Sequence, residues 1–149
     1  MTTDILSMLI GTPIKDPSHI IKQGWQGTRP FMTGCLIITD NVFSICQGTV
    51  VAVGQDDMSD LYTVTVEYDY LTCIRYCNLK SCNVAFGDQI SRGTKIGNTY
   101  KGELRIEYCT SEFSQFVART ADRQLYKHDP MPVLTGLVSL PDGTGSSED

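Results

Sequence analysis

The chain has 149 residues, of which 41% are hydrophobic and 19% are charged, and its formal net charge is −5. This balance is typical of a globular protein, and the length suits one domain with its own core. The negative charge and the lack of a lysine or arginine run argue against a nucleic-acid partner. No apolar stretch of the sequence is long enough to span a bilayer.

The N-terminal residues predict a short helix from Asp4 to Ile10, with Asp4 as its N-cap. The acid at position 4 and the absence of a basic n-region argue against a signal peptide. We therefore expect synthesis in a cytosol, where the protein stays at least initially. Residues 11–34 contain three prolines and four glycines, and this composition predicts an irregular entry segment.

From Gly34 onward the pattern is that of short strands. CLIITD and LTCIRYCNL are apolar strands, and a break near Gly48 divides the segment VFSICQGTVVAVGQDD. Strict alternation in YTVTVEY and in ELRIEY places apolar residues on one face and polar residues on the other. A hairpin turn is expected at 69–70 and a loop from Lys80 to Gly87. The predicted fold class is mainly β, with an antiparallel sheet and short irregular or helical flanks.

The C-terminal third is less regular. Residues 110–129 have some helical character, whereas the two prolines of DPMPVLTG predict an extended segment. The last residues, PDGTGSSED, predict a mobile tail. The predicted organisation is an N-terminal arm at 1–30, a β domain at 31–136 and a flexible tail at 137–149.

The six cysteines are predicted to be reduced, because thiols stay reduced in a cytosol. Cys73, Cys77 and Cys82 could form a zinc cluster, but both histidines are distant in sequence, and buried thiols are the favoured interpretation. Cys73 and Cys77 should share a strand face with Arg75 between them. That spacing corresponds to roughly 13 Å, too far for a disulfide.

A series of sequence blocks follows one another along the chain: IIKQGWQG, MTGCLIITD, GTVVAVG, YTVTVEY, IRYCNLKS, VAFGDQISRGTKIG, ELRIEY and YKHDPMPVLTG. Taken in order, these blocks resemble the lysostaphin-type zinc endopeptidases, which cut peptidoglycan cross-bridges. The resemblance covers about Ile21 to Gly136. The Gly-Asp-x-Ile-x-x-Gly pattern within VAFGDQISRGTKIG also occurs in lipoyl and biotinyl carrier domains, but a suitable hairpin lysine is absent from this chain.

The resemblance implies a zinc site whose chemistry this sequence has lost. The family's three zinc ligands fall on Met32, Leu36 and Arg105, and its two assisting histidines fall on Asn78 and Glu103. Leucine offers zinc no donor atom, and arginine is a fixed cation that repels it. The prediction is therefore an inactive domain with no catalytic residue, no metal and no cofactor.

Three other candidate sites have simpler structural interpretations. A substitute metal site could draw on Glu103, Glu107, Asp69 and the cysteines, but an ion-paired strand face explains the first two better. His128 and Asp129 lack a nucleophile motif and are interpreted as a solvated turn pair. Trp25 could stack on a ligand, although a lone tryptophan in an entry segment more often covers the end of a sheet.

The favoured function is a structural subunit of a bacteriophage tail or baseplate, located in the virion and assembled in the host cytoplasm. The expected partners are other tail or baseplate proteins, and a homo-oligomer within the assembly is an open option. Two alternatives remain: an inactive module that binds peptidoglycan or regulates amidases, and an active endopeptidase with a non-standard site. The contacts are expected through the C-terminal flank and through Ile5, Leu6, Leu9 and Ile10.

Overall fold

The computed structural model describes residues 4–14, 16–24, 34–55, 60–69, 72–111, 125–136 and 140. These residues form strands joined mostly by tight turns, with a short helix near each end. The helices are α1 (Asp4–Ile10) and α2 (Met131–Leu134), and a 3-10 turn spans Pro17–His19. The strands are β1 (Ile21–Gln23), β2 (Cys35–Ile38), β3 (Asn41–Phe43), β4 (Gly48–Gln55), β5 (Tyr62–Asp69), β6 (Thr72–Cys82), β7 (Gln89–Ile90), β8 (Lys95–Thr99), β9 (Glu103–Ser111) and β10 (Leu125–His128).

The strands pair in one antiparallel sheet, in the order β1-β2-β9-β6-β5-β4-β7. β2 and β10 pair with successive parts of β9, and β6 pairs with β9 along Arg105–Thr110. β8 pairs with both β3 and β6. The prediction of a mainly β fold with an antiparallel sheet is confirmed. β9 and β6 are therefore the central strands, and they position most of the residues considered below.

The alternation predicted for YTVTVEY and ELRIEY, which lie in β5 and β9, is correct. Val64 and Val66 of β5 and Leu104 and Ile106 of β9 are buried in the hydrophobic core, as expected for one face of each strand. Tyr76 of β6 is also fully buried, and its hydroxyl accepts a hydrogen bond from the Ile45 backbone N–H at 3.1 Å. The core thus lies on one face of the sheet, and the polar residues of these strands point to the other.

Helix α1 belongs to the same core. Leu6, Leu9 and Ile10 lie at helical spacing and are buried against it, whereas Met8 is 36% exposed. Gly11 ends the helix in a left-handed conformation (φ 77°), and its N–H bonds to the carbonyl of Ser7 at 2.9 Å. The expectation that Leu6, Leu9 and Ile10 contact a partner protein is wrong. The three side chains lie on one face of the helix, and that face packs into the domain's own core.

The C-terminal segment also differs from expectation. Residues 125–128 form a strand rather than a helix, and Met131–Leu134 are helical rather than extended. Pro130 and Pro132 are compatible with this helix because the first-turn N–H groups have no intrahelical partner. The burial of Val133 and Leu134 favours the helical arrangement.

Some expectations concern other boundaries. β6 continues to Cys82, so the predicted loop begins three residues later than expected. Leu140, within the predicted tail, is buried, and its carbonyl accepts a hydrogen bond from Arg92 Nη2 at 3.1 Å. Trp25, Tyr70, residues 112–124 and residues 141–149 lie outside the described residues. The division into arm, domain and tail stays a prediction.

Candidate functional site

Three of the positions equated with the zinc site, Leu36, Glu103 and Arg105, lie on the polar face of the sheet. The register of β2 and β9 sets Leu36 opposite Arg105, and that of β6 and β9 sets Cys77 opposite Arg105. Asn78 follows Cys77 directly. Met32 lies outside the described residues. The structure therefore brings Leu36 and Arg105 together as cross-strand neighbours.

Asn78 has a structural role at this site. Its backbone is left-handed (φ 77°), a conformation that asparagine tolerates better than most residues. Its Nδ2 donates to the carbonyl oxygens of Glu103, at 2.8 Å, and Tyr100, at 3.1 Å. The side chain thus ties β6 to the turn that leads into β9. Its amide is committed to backbone contacts rather than aimed at a ligand.

The acidic residues of β9 have different partners. Glu103 forms an ion pair with Lys22 of β1, and both side chains are partly exposed, so the pair stabilises the fold little. Arg105 Nε lies 3.9 Å from Glu107 Oε2. The prediction of an ion-paired face is therefore correct for Arg105 and Glu107. Glu103, however, is held by a lysine that the sequence did not indicate.

Glu107 is the buried centre of the polar face. Its side chain is 2% exposed, and Arg75 Nη1 lies 2.7 Å from its Oε1. β6 and β9 align so that these two residues are direct cross-strand partners. The alternation of the strand sequences places each residue on the polar face, but the register that joins them is not visible in either segment alone. Sequence analysis therefore missed this pair.

The charge on Arg75 is stabilised by its neighbours. Burial disfavours the charged guanidinium, but negative neighbours hold the pKa of Arg75 above its ordinary value: Cys77 once it ionises at high pH, and the Glu107 carboxylate. The pKa of the Cys77 thiol is raised by burial and then by the charge of Glu107. Cys77 is therefore neutral at neutral pH, and Glu107 supplies the negative charge beside Arg75.

Gly34 allows β2 to approach this pair closely. Its backbone is left-handed (φ 84°), and a Cβ atom there would meet the carbonyl oxygen of Ile106 and lie 3.0 Å from Glu107 Cγ. Any larger residue would push β2 away from β9. Gly34, the glycine of the MTGCLIITD block, thus has a packing role. This role does not depend on which residues stand at the positions equated with zinc ligands.

Five of the six cysteines are buried thiols, whereas Cys82 is only partly buried. Cys73 lies opposite Cys109, and both are buried on the polar face, with Arg75 between Cys73 and Cys77 as predicted. A hydrogen bond with Cys73, together with burial, raises the pKa of Cys109 well above its usual range. The Cys109 thiol is therefore a poor nucleophile at neutral pH, since the thiolate is the reactive form. All six cysteines are free in the structure, and their redox state in solution stays a prediction.

The residues at these positions do not fit a zinc ion. Leu36 has no donor atom, and the Arg105 guanidinium beside it is permanently charged and has no lone pair to offer. Across the described ranges no three histidine, cysteine or acidic side chains converge as a metal site would require. We therefore assign no catalytic step to zinc in this chain.

His128 and Asp129 stabilise the local structure. His128 ends β10 instead of lying in a turn, and its Nε2 is 2.9 Å from Thr110 Oγ1. Asp129 Oδ1 accepts the backbone N–H of Met131 at 2.9 Å, at the start of α2. The interpretation of these two residues as a turn pair is therefore wrong for His128, which is the last residue of a strand.

The fold and the polar face together define a peptidase-like antiparallel β domain. Residues 33–107, half of the chain, match the model of peptidase family M23, and the chain belongs to that family. The search of curated proteins found no match. Among the described residues, no helix has the length and apolar character needed to cross a membrane.

Solved structures of several proteins share this fold. CbpA from L. salivarius REN is 16% identical with a TM-score of 0.56, and 83% of this chain and 88% of that chain are covered. The peptidase lysostaphin from Staphylococcus simulans is 21% identical with a TM-score of 0.59; coverage is 78% of this chain and 49% of that chain, so this chain spans about half its length. A chain in the structure of the SpoIIIAH and SpoIIQ complex is 17% identical with a TM-score of 0.54, and 76% of this chain and 90% of that chain are covered.

Proposed function

We propose that this chain is a non-catalytic M23 domain that serves as a structural subunit of a bacteriophage tail or baseplate. The observation that carries the non-catalytic part is the pairing of Leu36 with Arg105 at two positions equated with zinc ligands. A hydrophobic side chain and a guanidinium cannot replace two metal donors. The turn glycines and the sheet are kept, so the domain retains its shape without its metal chemistry.

The assembly part of the proposal rests on analogy at the level of the fold. Tail tips and baseplates carry cell-wall-degrading domains, and a domain that has lost activity can be kept there as a structural part. Six free cysteines are compatible with assembly in a host cytoplasm. The structure of the SpoIIIAH and SpoIIQ complex supports a binding role for this fold, because it holds such a domain in a protein complex.

The two flanks form the proposed contacts with neighbouring subunits, except for those residues of the N-terminal flank that are buried in the core. Leu6, Leu9 and Ile10 are committed to the domain's own core. The exposed side of α1, where Met8 lies, and the C-terminal flank therefore carry the proposed contacts.

Protein purified without chelator is expected to contain substoichiometric zinc and to leave peptidoglycan cross-bridges intact. The physical reason is the absence of donor atoms at Leu36 and the fixed charge at Arg105. Elemental analysis and a cross-bridge hydrolysis assay, each run with added zinc as well, provide the measurement. An active M23 enzyme prepared in parallel is the control. Stoichiometric zinc together with hydrolysis would overturn the non-catalytic assignment.

The chain is expected in purified virions at a fixed number of copies per particle. Quantitative mass spectrometry of particles, compared with the lysate and the cell envelope of the same host, tests this location. A soluble cytosolic protein of similar abundance controls for carry-over. Enrichment in the envelope fraction with none in the particles would contradict the tail or baseplate role.

A further inference from the structure

The polar face contains a guanidinium with few partners among the described residues. Arg105 has five N–H donors, and the polar contact that this part of the chain offers it is the 3.9 Å ion pair between its Nε and Glu107 Oε2. That distance is too long for a hydrogen bond. The side chain is 35% exposed, so the guanidinium is partly withdrawn from water, and the described residues do not supply all its hydrogen bonds.

The nearby acid is already occupied by a different arginine. Glu107 Oε1 lies 2.7 Å from Arg75 Nη1, and the carboxylate is 2% exposed. Glu103, further along the same strand, is paired with Lys22. The Glu107 carboxylate thus lies near two guanidiniums, and it contacts that of Arg75 more closely than that of Arg105. These ion pairs join three cations (Lys22, Arg75 and Arg105) to two carboxylates, an excess of one positive charge.

The cross-strand neighbours of Arg105 are neutral. Leu36 lies opposite it on β2, and Cys77 lies opposite it on β6. Thr63 of β5 is the register partner of Cys77, one strand further from Arg105. A small apolar surface and a thiol therefore border the cation, with a hydroxyl one strand further away. This arrangement suits a ligand with one negative charge beside a short aliphatic group.

We infer that Arg105 and its neighbours form a binding site for a carboxylate group, at the position equated with the lost zinc site. A guanidinium presents two parallel N–H donors that match the two oxygens of a carboxylate, which makes the contact both charge-assisted and directional. The single excess charge balances one carboxylate. A phosphate, with close to two charges, would require a second free cation.

The carboxylate can come from two sources that share this chemistry, namely the C-terminus of a peptide and the side chain of an internal Asp or Glu. Either source would place a peptide along the sheet beside Leu36 and Thr63. The inference rests on the non-catalytic part of the proposed function, because a zinc ion at this position would exclude the ligand.

Binding of short blocked peptides to the full chain tests the site. The probes are acetyl-Ala-Ala-Ala with a free carboxylate and its amide, and acetyl-Ala-Glu-Ala-amide with its glutamine counterpart. Chemical-shift titration, including the arginine Nε–H signals, gives the dissociation constants. We expect at least one acidic peptide to bind roughly tenfold or more tightly than its neutral counterpart. The pair that shows the difference identifies the source of the carboxylate.

Two variants assign the effect to Arg105. Arg105→Gln is expected to remove the preference for the acidic peptide, and Arg105→Lys to keep part of it, since lysine has the charge but not the paired donors. Lys80→Gln, at an exposed residue of β6, makes the same change in net charge and should bind as the unaltered protein does. Thermal unfolding of each variant verifies that the fold is kept.

The zinc content of the same sample separates the possible failures. Zinc-free protein that binds acidic and neutral peptides equally, or binds none of them, would overturn this inference and leave the non-catalytic domain standing. Acidic-peptide binding that persists unchanged in Arg105→Gln would also overturn it. Zinc-loaded protein that cleaves cross-bridges would overturn the proposed function itself.

Discussion

Replacing Glu107 with glutamine is expected to lower the free energy of unfolding by about 3 to 5 kcal/mol. Glu107 is 2% exposed and holds the Arg75 guanidinium at 2.7 Å. Arg75 Nε is buried and finds no hydrogen-bond partner in the part of the chain that the structure describes, so Arg75 depends strongly on this carboxylate. Without the charge of Glu107, a cation stays in a largely buried position with little to compensate its desolvation. Chemical denaturation of the two proteins measures the difference.

A double variant distinguishes a lost charge pair from a general packing defect. Arg75→Met with Glu107→Leu removes both charges and keeps much of the volume, and such replacements are often neutral or stabilising. We expect it to recover most of the stability lost by Glu107→Gln. If the double variant is less stable than the single one, shape rather than charge compensation determines the role of Glu107. A loss below about 1 kcal/mol for Glu107→Gln would contradict the prediction outright.

Truncating either leucine of α1 is expected to be comparably costly. Leu6→Ala and Leu9→Ala should each lower the free energy of unfolding by about 2 to 5 kcal/mol, because both side chains are completely buried in the main core. A domain of this size has roughly 5 to 15 kcal/mol of stability in total. Deleting residues 1–10 is therefore expected to unfold the domain or leave it marginal.

The same helix provides the control for this prediction. Met8 is 36% exposed, so Met8→Ala should change the unfolding free energy by less than about 1 kcal/mol. Denaturant or thermal unfolding of the three single variants gives the comparison. Equal, small effects at all three positions would indicate that α1 is not part of the cooperative unit. The deletion would then leave the thermal midpoint unchanged.

The sequence could suggest residues for the candidate site but not their arrangement. The order of the sequence blocks led to the proposal that Leu36, Asn78, Glu103 and Arg105 stand at zinc-site positions, and strand alternation placed Arg105 on the polar face of a strand. The sequence did not indicate that Asn78 is bonded to two backbone carbonyls or that Lys22 holds Glu103. Such contacts join segments that are 22 to 81 residues apart.

The sequence by itself determined the strands and their faces, since alternation with period two is a local property that each segment carries independently. It also determined the helical character of Asp4–Ile10. Only the tertiary structure decided which strands are neighbours and in which register, and thereby set Arg75 against Glu107 and Cys73 against Cys109. It likewise decided that Leu6 and Leu9 are buried and that Met131–Leu134 are helical. The reason is physical: register and burial depend on the surfaces that distant segments present to each other, and no short window of sequence contains both surfaces.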